Sequence, residues 1–323
     1  MTKNIKHIGL FTSGGAALGM NAALYAVVKA ASAKGIKVSG IRKGFEGLID
    51  NDFVELKTKQ LQKTMHLGGT VLKTARSERF RTVEGREVAL QNIHDNQIDG
   101  LIAIGGDGTF RGISLLSEIS DIPCIGIPGT IDNDTVGTDF TLGFDSAVNT
   151  AMNCIDNIRD TAESHNRMFV IEVMGRDSGY IGVYSGLTSG ADSILIPESP
   201  QDMTYLLDKI HGYESEDAFI VVLSEGNELS IDRVSQQIRQ VNDAIDLRVC
   251  KLGHIQRGGN PTAADRMLGI RLGVAAVNAL IQGESNKMAG ICNNQPVLTP
   301  FSEIAKQHAI DAEQQSLVDL FCR

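Results

Sequence analysis

The sequence predicts an α/β fold with mostly parallel sheets. Short apolar runs rich in β-branched residues alternate with amphipathic stretches of helical length almost from end to end, which is typical of βαβ units. Glycine clusters follow several of these runs, where such a chain turns directly into a helix. With 323 residues, 42% of them hydrophobic, the chain is long enough for one large domain or two of ordinary size.

The first half of the chain contains well-marked strands and helices. Strands are expected at 8–12, 38–41, 101–104 and 124–127, and helices at about 19–31 and 110–119. The predicted strand at 101–104 is a compact apolar run that leads into a glycine turn. The first helix is expected to end at Lys34-Gly35, because glycine after a basic residue is a common C-terminal signal.

The second half repeats the alternation. A helix is expected at 146–162, strands at 168–173, 193–196, 219–223 and 288–291, and a long helix from about 261 to 283. Pro261 is well placed at a first helical position, where its missing N–H would have no partner. No Pro-rich or Ser-rich linker divides the chain, so composition marks no domain boundary.

The charge balance excludes several classes of partner. The formal net charge is −9 and the chain has no long Lys/Arg run, so it gains no electrostatic attraction to DNA, RNA or anionic membranes. Local basic clusters must therefore hold any anionic substrate, which suits small phosphorylated metabolites. The N-terminal residues do not resemble a signal peptide, and no apolar run approaches the ~20 residues of a membrane span. A cytoplasmic location is expected.

The cysteines are widely spaced and form no CxxC pair. They lie at Cys124, Cys154, Cys250, Cys292 and Cys322. An odd number at such spacing argues against a disulfide framework and against a zinc site. Buried, reduced thiols are expected.

The first glycine loop, Ser13-Gly14-Gly15, lies between a predicted strand and a predicted helix. Glycines there let backbone N–H groups approach a phosphate, and the helix N-terminus adds partial positive charge. The loop lacks the Gly-Lys-Ser/Thr of a P-loop and does not match GxGxxG. It therefore predicts either a phosphate loop or only a tight turn.

The second loop, Gly105-Gly106-Asp107-Gly108-Thr109, has the same strand–turn–helix context with a carboxylate inside it. Mg²⁺ bound to a nucleotide favours one or two carboxylates together with phosphate oxygens and water. Asp107 can supply such a ligand, or it can cap the helix that follows.

The third loop, Pro128-Gly129-Thr130-Ile131-Asp132-Asn133-Asp134, holds two carboxylates two residues apart. Like charges so close are unusual for stability alone. Phosphoryl transfer to an alcohol needs a base for the hydroxyl proton, and a carboxylate suits that task. Read in isolation, either Asp can form an Asx turn. Because this loop follows the second loop after a single helix, the catalytic interpretation is favoured.

Several basic residues fall in predicted loops or at the ends of elements: Arg76, Arg167, Arg176, Arg248 and Arg257. Guanidinium groups bind phosphate oxygens in bidentate fashion, although a solvated surface role is open to each of them. His254, within GHIQRGG, is either a ligand-binding or a structural histidine. The glycine pair after Arg257 indicates a loop that approaches a ligand closely.

Together the motifs resemble one protein family. SGG-x-x-x-GMNA, GGT-x(4)-AR, IGGDGT, PGTIDND, SHNR, EVMGR and LGHIQRGG occur in this order, followed by GICNNQPV at 290–297. From about residue 7 onward, the chain resembles the bacterial ATP-dependent 6-phosphofructokinases. The resemblance implies two Rossmann-like three-layer αβα domains with mostly parallel sheets. Residues 1–142 and 255–305 would form the ATP-binding domain, and residues 143–254 and 306–323 the fructose 6-phosphate-binding domain.

The resemblance also implies a role for each matching residue. Asp132 would be the base for the sugar 1-hydroxyl, Thr130 and Arg176 would stabilise the transferring phosphoryl group, and Asp107 would hold Mg²⁺. The ATP site would be lined by Gly15, Arg76, Ser77, Gly106, Asp107, Gly108 and Thr109. Fructose 6-phosphate would meet Thr130, Ile131, Asp132, Arg167, Met174, Gly175, Arg176, Glu225, Arg248, His254, Ile255, Gln256 and Arg257. Arg167 and Arg248 would reach it from a neighbouring subunit, in a homotetramer with shared active sites.

Two glycines bear on the phosphoryl donor. Pyrophosphate-using relatives carry an Asp at the position of Gly108 and a Lys at the position of Gly129. An Asp at position 108 would crowd and repel the α-phosphate of a nucleotide, so glycines at both positions favour ATP.

The chain also departs from the family pattern. The first loop reads SGGAALG where SGGDAPG is usual, and losing a capping Asp and a rigid Pro is expected to loosen the ATP loop. Lys73 replaces a usual glycine and either adds a phosphate contact or stays solvated.

The effector site of bacterial members, a basic cluster that binds ADP or phosphoenolpyruvate, is also altered. Tyr25 and Thr58 stand where arginines are expected, Lys29 and Arg159 are retained, and a basic stretch is replaced by Glu-Ser-Glu-Asp at 214–217. Weak or absent regulation by those anions is expected.

Two other interpretations remain open at this stage. Kinases of the diacylglycerol or NAD type share a GGDGT loop, but they have no counterpart of EVMGR or GHIQRGG. A catalytically weak regulatory paralogue would fit the altered first loop, yet Asp107, Thr130, Asp132 and Arg176 are all present.

Overall fold

The computed structural model of the protein describes residues 5–213, 217–304 and 310–322, and their contacts divide into two units. Residues 5–131, 135–145 and 257–304 form the first unit. Residues 132–134, 146–213, 217–256 and 310–322 form the second. Each unit has its own sheet and its own hydrophobic core.

The first unit is built on a seven-stranded sheet. Its strands are β1 (His7–Thr12), β2 (Lys37–Ile41), β3 (Phe53–Glu55), β4 (Gly100–Gly105), β5 (Cys124–Pro128), β10 (Lys287–Cys292) and β11 (Gln295–Pro300), in the order β11-β10-β5-β4-β1-β2-β3. Neighbouring strands are parallel, except that β3 and β11 pair antiparallel at the two edges. The central strands β1, β4 and β5 are buried along their whole length, as expected of parallel strands covered on both faces.

Helices complete the first unit. They are α1 (Met20–Ser32), α2 (Phe45–Ile49), α3 (Thr58–Gln62), α4 (Val83–Asp95), α5 (Asp107–Ser117) and α10 (Ala263–Ile281), with 3₁₀ turns at Arg79–Arg81 and Phe301–Glu303. One core cluster is built around the stacked and edge-on rings of Phe11, Phe45 and Phe80. Helices α1 and α10 approach closely at Gly273, where a β-carbon would lie 2.7 Å from Ala26 Cβ.

The second unit has a four-stranded, fully parallel sheet in the order β7-β8-β6-β9. Its elements are β6 (Met168–Val173), β7 (Ser193–Leu195), β8 (Phe219–Ser224) and β9 (Leu247–Lys251), with α7 (Tyr180–Thr188), α8 (Asp202–His211), α9 (Ile231–Val241), α11 (Ala312–Cys322) and most of α6 (Phe144–Glu163). Helix α9 buries Ile231, Val234 and Ile238, the i, i+3, i+7 stripe of an amphipathic helix. A 3₁₀ turn at Gly253–Arg257 follows β9.

The predicted α/β class with mostly parallel sheets is confirmed, and every predicted strand is present within one or two residues. Three helix starts differ from prediction by two or three residues, and one of them is that of α6, which begins at Phe144 instead of 146. Helix α10 begins at Ala263, because Thr262 rather than Pro261 precedes the first turn and its hydroxyl accepts the Asp265 N–H at 3.3 Å. Helix α5 begins at Asp107, three residues earlier than predicted, since the glycine turn passes directly into the helix.

Several short or polar elements were not predicted, among them α2, α3, α4, β3, β9 and β11. Strand β9 carries Arg248 and Lys251 on a largely exposed edge, so it lacks the apolar run by which the buried strands are recognised. All five cysteines are free, and burial raises the pKa of Cys124 to about 12. Across the described part of the chain, no helix combines the length and the hydropathy of a membrane span.

Candidate active site

The first glycine loop joins β1 to α1 in the first unit. The Ser13 N–H donates to the Ile104 carbonyl at 2.9 Å, so this loop leaves the sheet beside the end of β4. Gly14 and Gly19 have positive φ angles of 80° and 97°, which a residue with a β-carbon adopts only with strain. The Ala-Ala-Leu replacement of the usual residues is thus held between two glycines whose backbone geometry sets the turn.

Arg257 lies against this loop. A β-carbon on Gly15 would be 2.9 Å from Arg257 Nη1, and the same nitrogen donates to the Ala16 carbonyl at 3.4 Å. A side chain at position 15 would therefore need the end of the Arg257 side chain to move away. In this structure Arg257, predicted to meet the sugar phosphate, contacts the loop predicted to bind ATP.

The second glycine loop connects β4 to α5 and packs against the first. A β-carbon on Gly105 would lie 2.6 Å from the Ser13 carbonyl oxygen and 2.2 Å from Thr109 Oγ1. Thr109 is buried, and its hydroxyl oxygen has no hydrogen-bond partner among the described residues. Gly108 is exposed, and a β-carbon there would have no described atom within 4 Å.

Asp107 is the first residue of α5 and does not cap it. The N-cap position is Gly106, and no side chain accepts a capping hydrogen bond there. The Asp107 carboxylate instead accepts from Arg111 Nε one turn later, at 3.1 Å, and it remains about a quarter exposed. The capping interpretation of Asp107 is wrong, because the glycine before it occupies the cap and the side chain points along the helix.

The third loop follows β5 and lies beside the second. The Gly129 N–H donates to the Gly105 carbonyl at 2.9 Å, and a β-carbon on Gly106 would be 3.7 Å from Thr130 Cβ. Thr141 holds this loop by donating its hydroxyl to the Thr130 carbonyl at 2.6 Å. Gly129 lies in a crowded position, since a β-carbon there would lie 2.9 Å from the end of the flexible Met20 side chain and 3.2 Å from Ile104 Cγ2, so both neighbours would have to shift.

The two carboxylates of the third loop are buried. Asp132 is 6% exposed and Asp134 5% exposed, and Asn133 between them has a φ angle of 52°. Residues 132–134 belong to the second contact unit, although residues 131 and 135 on either side belong to the first. A left-handed Asn between two buried acids indicates a backbone set by its surroundings rather than by an ordinary solvent-exposed turn.

Arg76 and Ser77 lie in an irregular segment that precedes the 3₁₀ turn at Arg79–Arg81. Ser77 Oγ accepts the Phe80 N–H at 3.2 Å, which starts that turn. Arg76 is exposed, so its guanidinium is accessible to an anion.

In the second unit, Glu225 holds the loop that follows β6. One of its carboxylate oxygens accepts the Arg176 N–H at 2.8 Å and the Gly175 N–H at 3.3 Å. Arg176 has a φ angle of 56°, and a β-carbon on Gly226 would lie 1.9 Å from its carbonyl oxygen. The backbone of Arg176 is therefore fixed, while its side chain is 66% exposed and pairs with Asp177 at 3.6 Å.

Gln256 is completely buried and connects two loops of the second unit. Its Oε1 accepts the Met174 N–H at 3.2 Å, and its Nε2 donates to the Gly253 carbonyl at 3.1 Å. Its neighbours His254 and Ile255 are exposed. The structure thus divides GHIQR into residues that face solvent and one that fixes their backbone.

Arg167 and Arg248 share a single carboxylate. Arg167 Nε donates to Asp246 Oδ2 at 2.7 Å, and Arg248 Nη2 lies 3.0 Å from Asp246 Oδ1. The guanidinium of Arg167, and then that of Arg248, hold the pKa of Asp246 below its usual value. Asp246 was not predicted as a site residue, although its position two residues before Arg248 is a usable signal in the sequence.

These features define a class of protein. They are typical of an α/β phosphotransferase that acts on small anionic substrates. The features are glycine loops at the carboxyl ends of parallel strands, a helix that begins at a carboxylate, buried acids, and a pair of arginines held by one aspartate.

Comparisons with known proteins agree with this class. The profile of the family described as "Phosphofructokinase" matches residues 7–280. An "ATP-dependent 6-phosphofructokinase" from Cytophaga hutchinsonii is 46% identical over 319 residues, which cover 98% of this chain and 97% of that protein. "ATP-dependent 6-phosphofructokinase 1" from Thermus thermophilus is 47% identical over 305 residues, covering 94% and 95%. The chain belongs to the phosphofructokinase family.

Solved structures agree on the fold. Phosphofructokinase from Pichia pastoris in the T-state matches with a TM-score of 0.86 and 32% identity, over 99% of this chain and 39% of that longer one. A pyrophosphate-dependent phosphofructokinase from Marinobacter aquaeolei has a TM-score of 0.84 at 22% identity, over 99% and 92%. At that identity the likeness supports the fold and does not bear on the phosphoryl donor.

Proposed function

We propose that the protein is an ATP-dependent 6-phosphofructokinase. It transfers the γ-phosphoryl group of ATP to the 1-hydroxyl of D-fructose 6-phosphate, giving fructose 1,6-bisphosphate and ADP, a step of glycolysis. The observation that carries the proposal is the contact between the second and third loops, which brings Gly106 beside Thr130 and the Mg²⁺ and base motifs onto neighbouring strand ends. The relatives named above, with sequence identities near 46%, support the same activity.

ATP binding is assigned to the first unit. The proposed phosphate contacts lie in the two glycine loops and are Gly15, Gly106, Gly108 and Thr109. The buried Thr109 hydroxyl is available to the phosphates. Backbone N–H groups at the start of α1 and α5 favour phosphate oxygens. Arg76 and Ser77 supply a guanidinium and a hydroxyl from the irregular segment.

Asp107 is assigned to Mg²⁺. Its carboxylate lies at the helix start, next to the loop that receives the phosphates, and is partly exposed. Mg²⁺ is usually held by one or two carboxylates together with substrate phosphates and water, so a single carboxylate from the protein is sufficient. When bound, the ion would offset the negative charge of the triphosphate.

Asp132 is assigned as the base. It takes the proton of the sugar 1-hydroxyl while the hydroxyl oxygen forms a bond to the γ-phosphorus. The bond between the γ-phosphorus and the β–γ bridging oxygen breaks at the same time, and ADP leaves. Thr130 and Arg176 stabilise the transferring phosphoryl group, whose charge a guanidinium can match. The low exposure of Asp132 supports this role, because a buried carboxylate is less hydrated and is held in one geometry.

Fructose 6-phosphate binding is assigned mainly to the second unit. Met174, Gly175 and Arg176 offer a loop fixed by Glu225, while His254 and Ile255 are exposed on the 3₁₀ turn. Gln256 acts through the backbone it holds, because its side chain is fully buried. The remaining proposed contacts are Ile131, Arg167, Arg248 and Arg257.

Further parts of the proposal concern assembly and location. We infer a homotetramer in which Arg167 and Arg248 serve the sugar site of a neighbouring subunit, and a cytoplasmic enzyme. The shared Asp246 supports the pairing of these two arginines, because one carboxylate holds both guanidinium groups and leaves further N–H donors for a phosphate.

Replacing Arg248 tests the sugar-phosphate assignment. We expect Arg248→Ala to raise KM for fructose 6-phosphate roughly 10–100-fold, because a charge-assisted hydrogen bond contributes about 1.5–3 kcal/mol. Steady-state kinetics with each substrate varied would show KM for ATP unchanged. Lys251→Ala, three residues along the same strand and paired with Glu172, is the control and should leave both KM values near normal; equal effects of the two variants would contradict the assignment.

Effector responses are expected to be weak. Tyr25 and Thr58 carry no charge where a basic cluster is expected, and Arg159 Nη2 already donates to the Ser189 and Gly190 carbonyls at 2.8 and 2.7 Å. Residues 214–216 lie outside the described residues, and Asp217 after them is acidic. Adding millimolar phosphoenolpyruvate or ADP should leave the affinity for fructose 6-phosphate unchanged, and a clear fall on adding phosphoenolpyruvate would contradict this.

The activity itself is tested with purified protein, Mg²⁺ and fructose 6-phosphate by measuring formation of fructose 1,6-bisphosphate with either ATP or pyrophosphate as the phosphoryl donor. Turnover with ATP and none with pyrophosphate is the expected result. Turnover with NAD or a lipid as acceptor and none with fructose 6-phosphate would instead assign the protein to the NAD or diacylglycerol kinase type.

A further inference from the structure

The segment that carries Arg76 and Ser77 has no helix or strand of its own. Residues 63–78, between α3 and the 3₁₀ turn at Arg79–Arg81, form only turns and irregular backbone. Without a helix or a strand ladder, the placement of this segment depends on individual contacts to its backbone. One of those contacts is a backbone hydrogen bond, from the Lys43 N–H to the Leu72 carbonyl at 2.8 Å. Other contacts come from side chains, which therefore help to decide where Arg76 is held.

Asn21 contacts both ends of the Gly68-Gly69-Thr70 turn in this segment. Its Nδ2 donates to the Leu67 carbonyl at 3.1 Å, and its Oδ1 accepts the Val71 N–H at 2.9 Å. The side chain is 1% exposed, so water cannot replace either bond. The Asn21 amide therefore bridges the backbone of two residues four positions apart and holds the turn closed.

Thr12 makes a second attachment to the same segment. Its hydroxyl donates to the Lys73 carbonyl at 3.0 Å, and it lies 3.0 Å from Thr70 Oγ1. Since the Thr12 proton is used on Lys73, Thr70 is the donor between the two hydroxyls. Lys73 has a φ angle of 59°, a left-handed conformation that costs a non-glycine residue free energy and that this hydrogen bond helps to hold.

Both attachments originate beside the first glycine loop. Thr12 is the residue before Ser13, and Asn21 is two residues after Gly19. Gly68 also packs closely against another segment of the first unit, where a β-carbon would be 2.3 Å from the Gly259 carbonyl oxygen. The loop that offers N–H groups to the phosphates and the segment that offers Arg76 are thus tied together at both ends of that loop.

We propose that Asn21 is a positioning residue for the nucleotide, which sets Arg76 against the first glycine loop and so determines affinity for ATP, with Thr12 as the second attachment. The inference rests on the proposed function, since it takes ATP as the ligand of these loops. Asn21 itself touches no substrate in this scheme; its effect passes through the backbone of residues 67–71 to Arg76. A misplacement of about 1 Å is enough to cost large factors in rate.

The principal variant is Asn21→Leu, which is close in size and lacks both hydrogen bonds. We expect kcat/KM for ATP to fall about 10–100-fold, mostly through KM, while KM for fructose 6-phosphate stays within about two-fold of the unmodified protein. Asn242→Leu is the matched control, because Asn242 also donates to one backbone carbonyl, Tyr213, and accepts one backbone N–H, Ala244. It should leave KM for ATP unchanged.

A double-mutant cycle distinguishes positioning from loss of general stability. In an Arg76→Ala background, Asn21→Leu should raise KM for ATP by less than about two-fold, because the residue through which it acts is gone. Equal fold-changes in both backgrounds would overturn the proposal. The Tm of each variant is measured alongside. If Asn242→Leu lowers Tm and also raises KM for ATP, the effect of Asn21→Leu reflects general stability, and the proposal is overturned.

Thr12→Val keeps the proposal testable if Asn21→Leu does not fold. The substitution preserves shape and β-branching in β1 and removes only the hydroxyl, and we expect it to raise KM for ATP in the same direction. Unmodified protein without any ATP-dependent activity would refute the proposed function, whereas normal activity with unaltered KM for ATP in Thr12→Val and Asn21→Leu would refute this inference alone.

Discussion

Replacing Asp132 by Asn is expected to lower kcat by roughly 10²–10⁴-fold, the usual contribution of a general base. The amide keeps the size of the side chain but cannot take the proton of the sugar hydroxyl at neutral pH. KM for fructose 6-phosphate should change far less, because the phosphate and the ring are held by other residues. Steady-state kinetics with both substrates near saturation measures the effect.

Asp134→Asn is the control for this prediction. Asp134 has the same residue type, nearly the same burial and a place two residues away in the same loop, so it reports the cost of neutralising a buried acid there. A smaller loss of kcat in this variant is expected. If Asp132→Asn kept near-normal turnover, or if Asp134→Asn lost more, the base would have been assigned to the wrong residue.

Replacing Gly108 by Asp is expected to raise KM for ATP about 100-fold. A carboxylate about 4 Å from a phosphate oxygen contributes repulsion of ~4 kcal/mol near a protein surface, and part of it is relieved by side-chain rotation. The protein itself should tolerate the change, since a β-carbon at Gly108 has no described atom within 4 Å. Kinetics with varied Mg·ATP, together with thermal unfolding, separates lost affinity from lost stability.

Gly108→Ala is the matched control for the charge. Alanine adds the β-carbon without the carboxylate, and in the first turn of α5 it is favoured over glycine by its helix propensity. Near-normal KM for ATP is expected in this variant. Equal losses of ATP affinity in both variants would mean that bulk rather than charge excludes the nucleotide. An unchanged KM for ATP in Gly108→Asp would mean that position 108 does not determine the phosphoryl donor.

The structure changes the relative value of the two donor-specific glycines. Both glycines favour ATP on sequence grounds, but a β-carbon at Gly129 would also require the end of the Met20 side chain and Ile104 Cγ2 to shift. Glycine at 129 therefore has a packing reason that is independent of the donor. Gly108 lies in open space, so its lack of a side chain is better evidence for a nucleotide.

The three loops were predicted from sequence because each is a short, local signal. A buried strand, a glycine turn and a helix follow one another within about fifteen residues, and the chemistry lies at the turn. Strand β9 was not predicted, because an exposed edge strand has no apolar pattern. The ion pair between Arg248 and Asp246 was not predicted either, because an ion pair leaves no apolar pattern in the sequence. Local pattern is informative where burial dictates residue type, and it is silent where the surface permits many residues.

The sequence by itself determined the α/β class, the succession of strands and loops, and the family. It also predicted the roles that we propose for Asp132, Asp107 and Gly108. Only the tertiary structure decided that Asp107 starts α5 without capping it, that Gln256 is buried, that Glu225 fixes Arg176, and that Asn21 holds the segment of Arg76. These are contacts between residues tens of positions apart, and a side chain's partner at that distance depends on how the strands are ordered in the sheet, which no local spacing encodes.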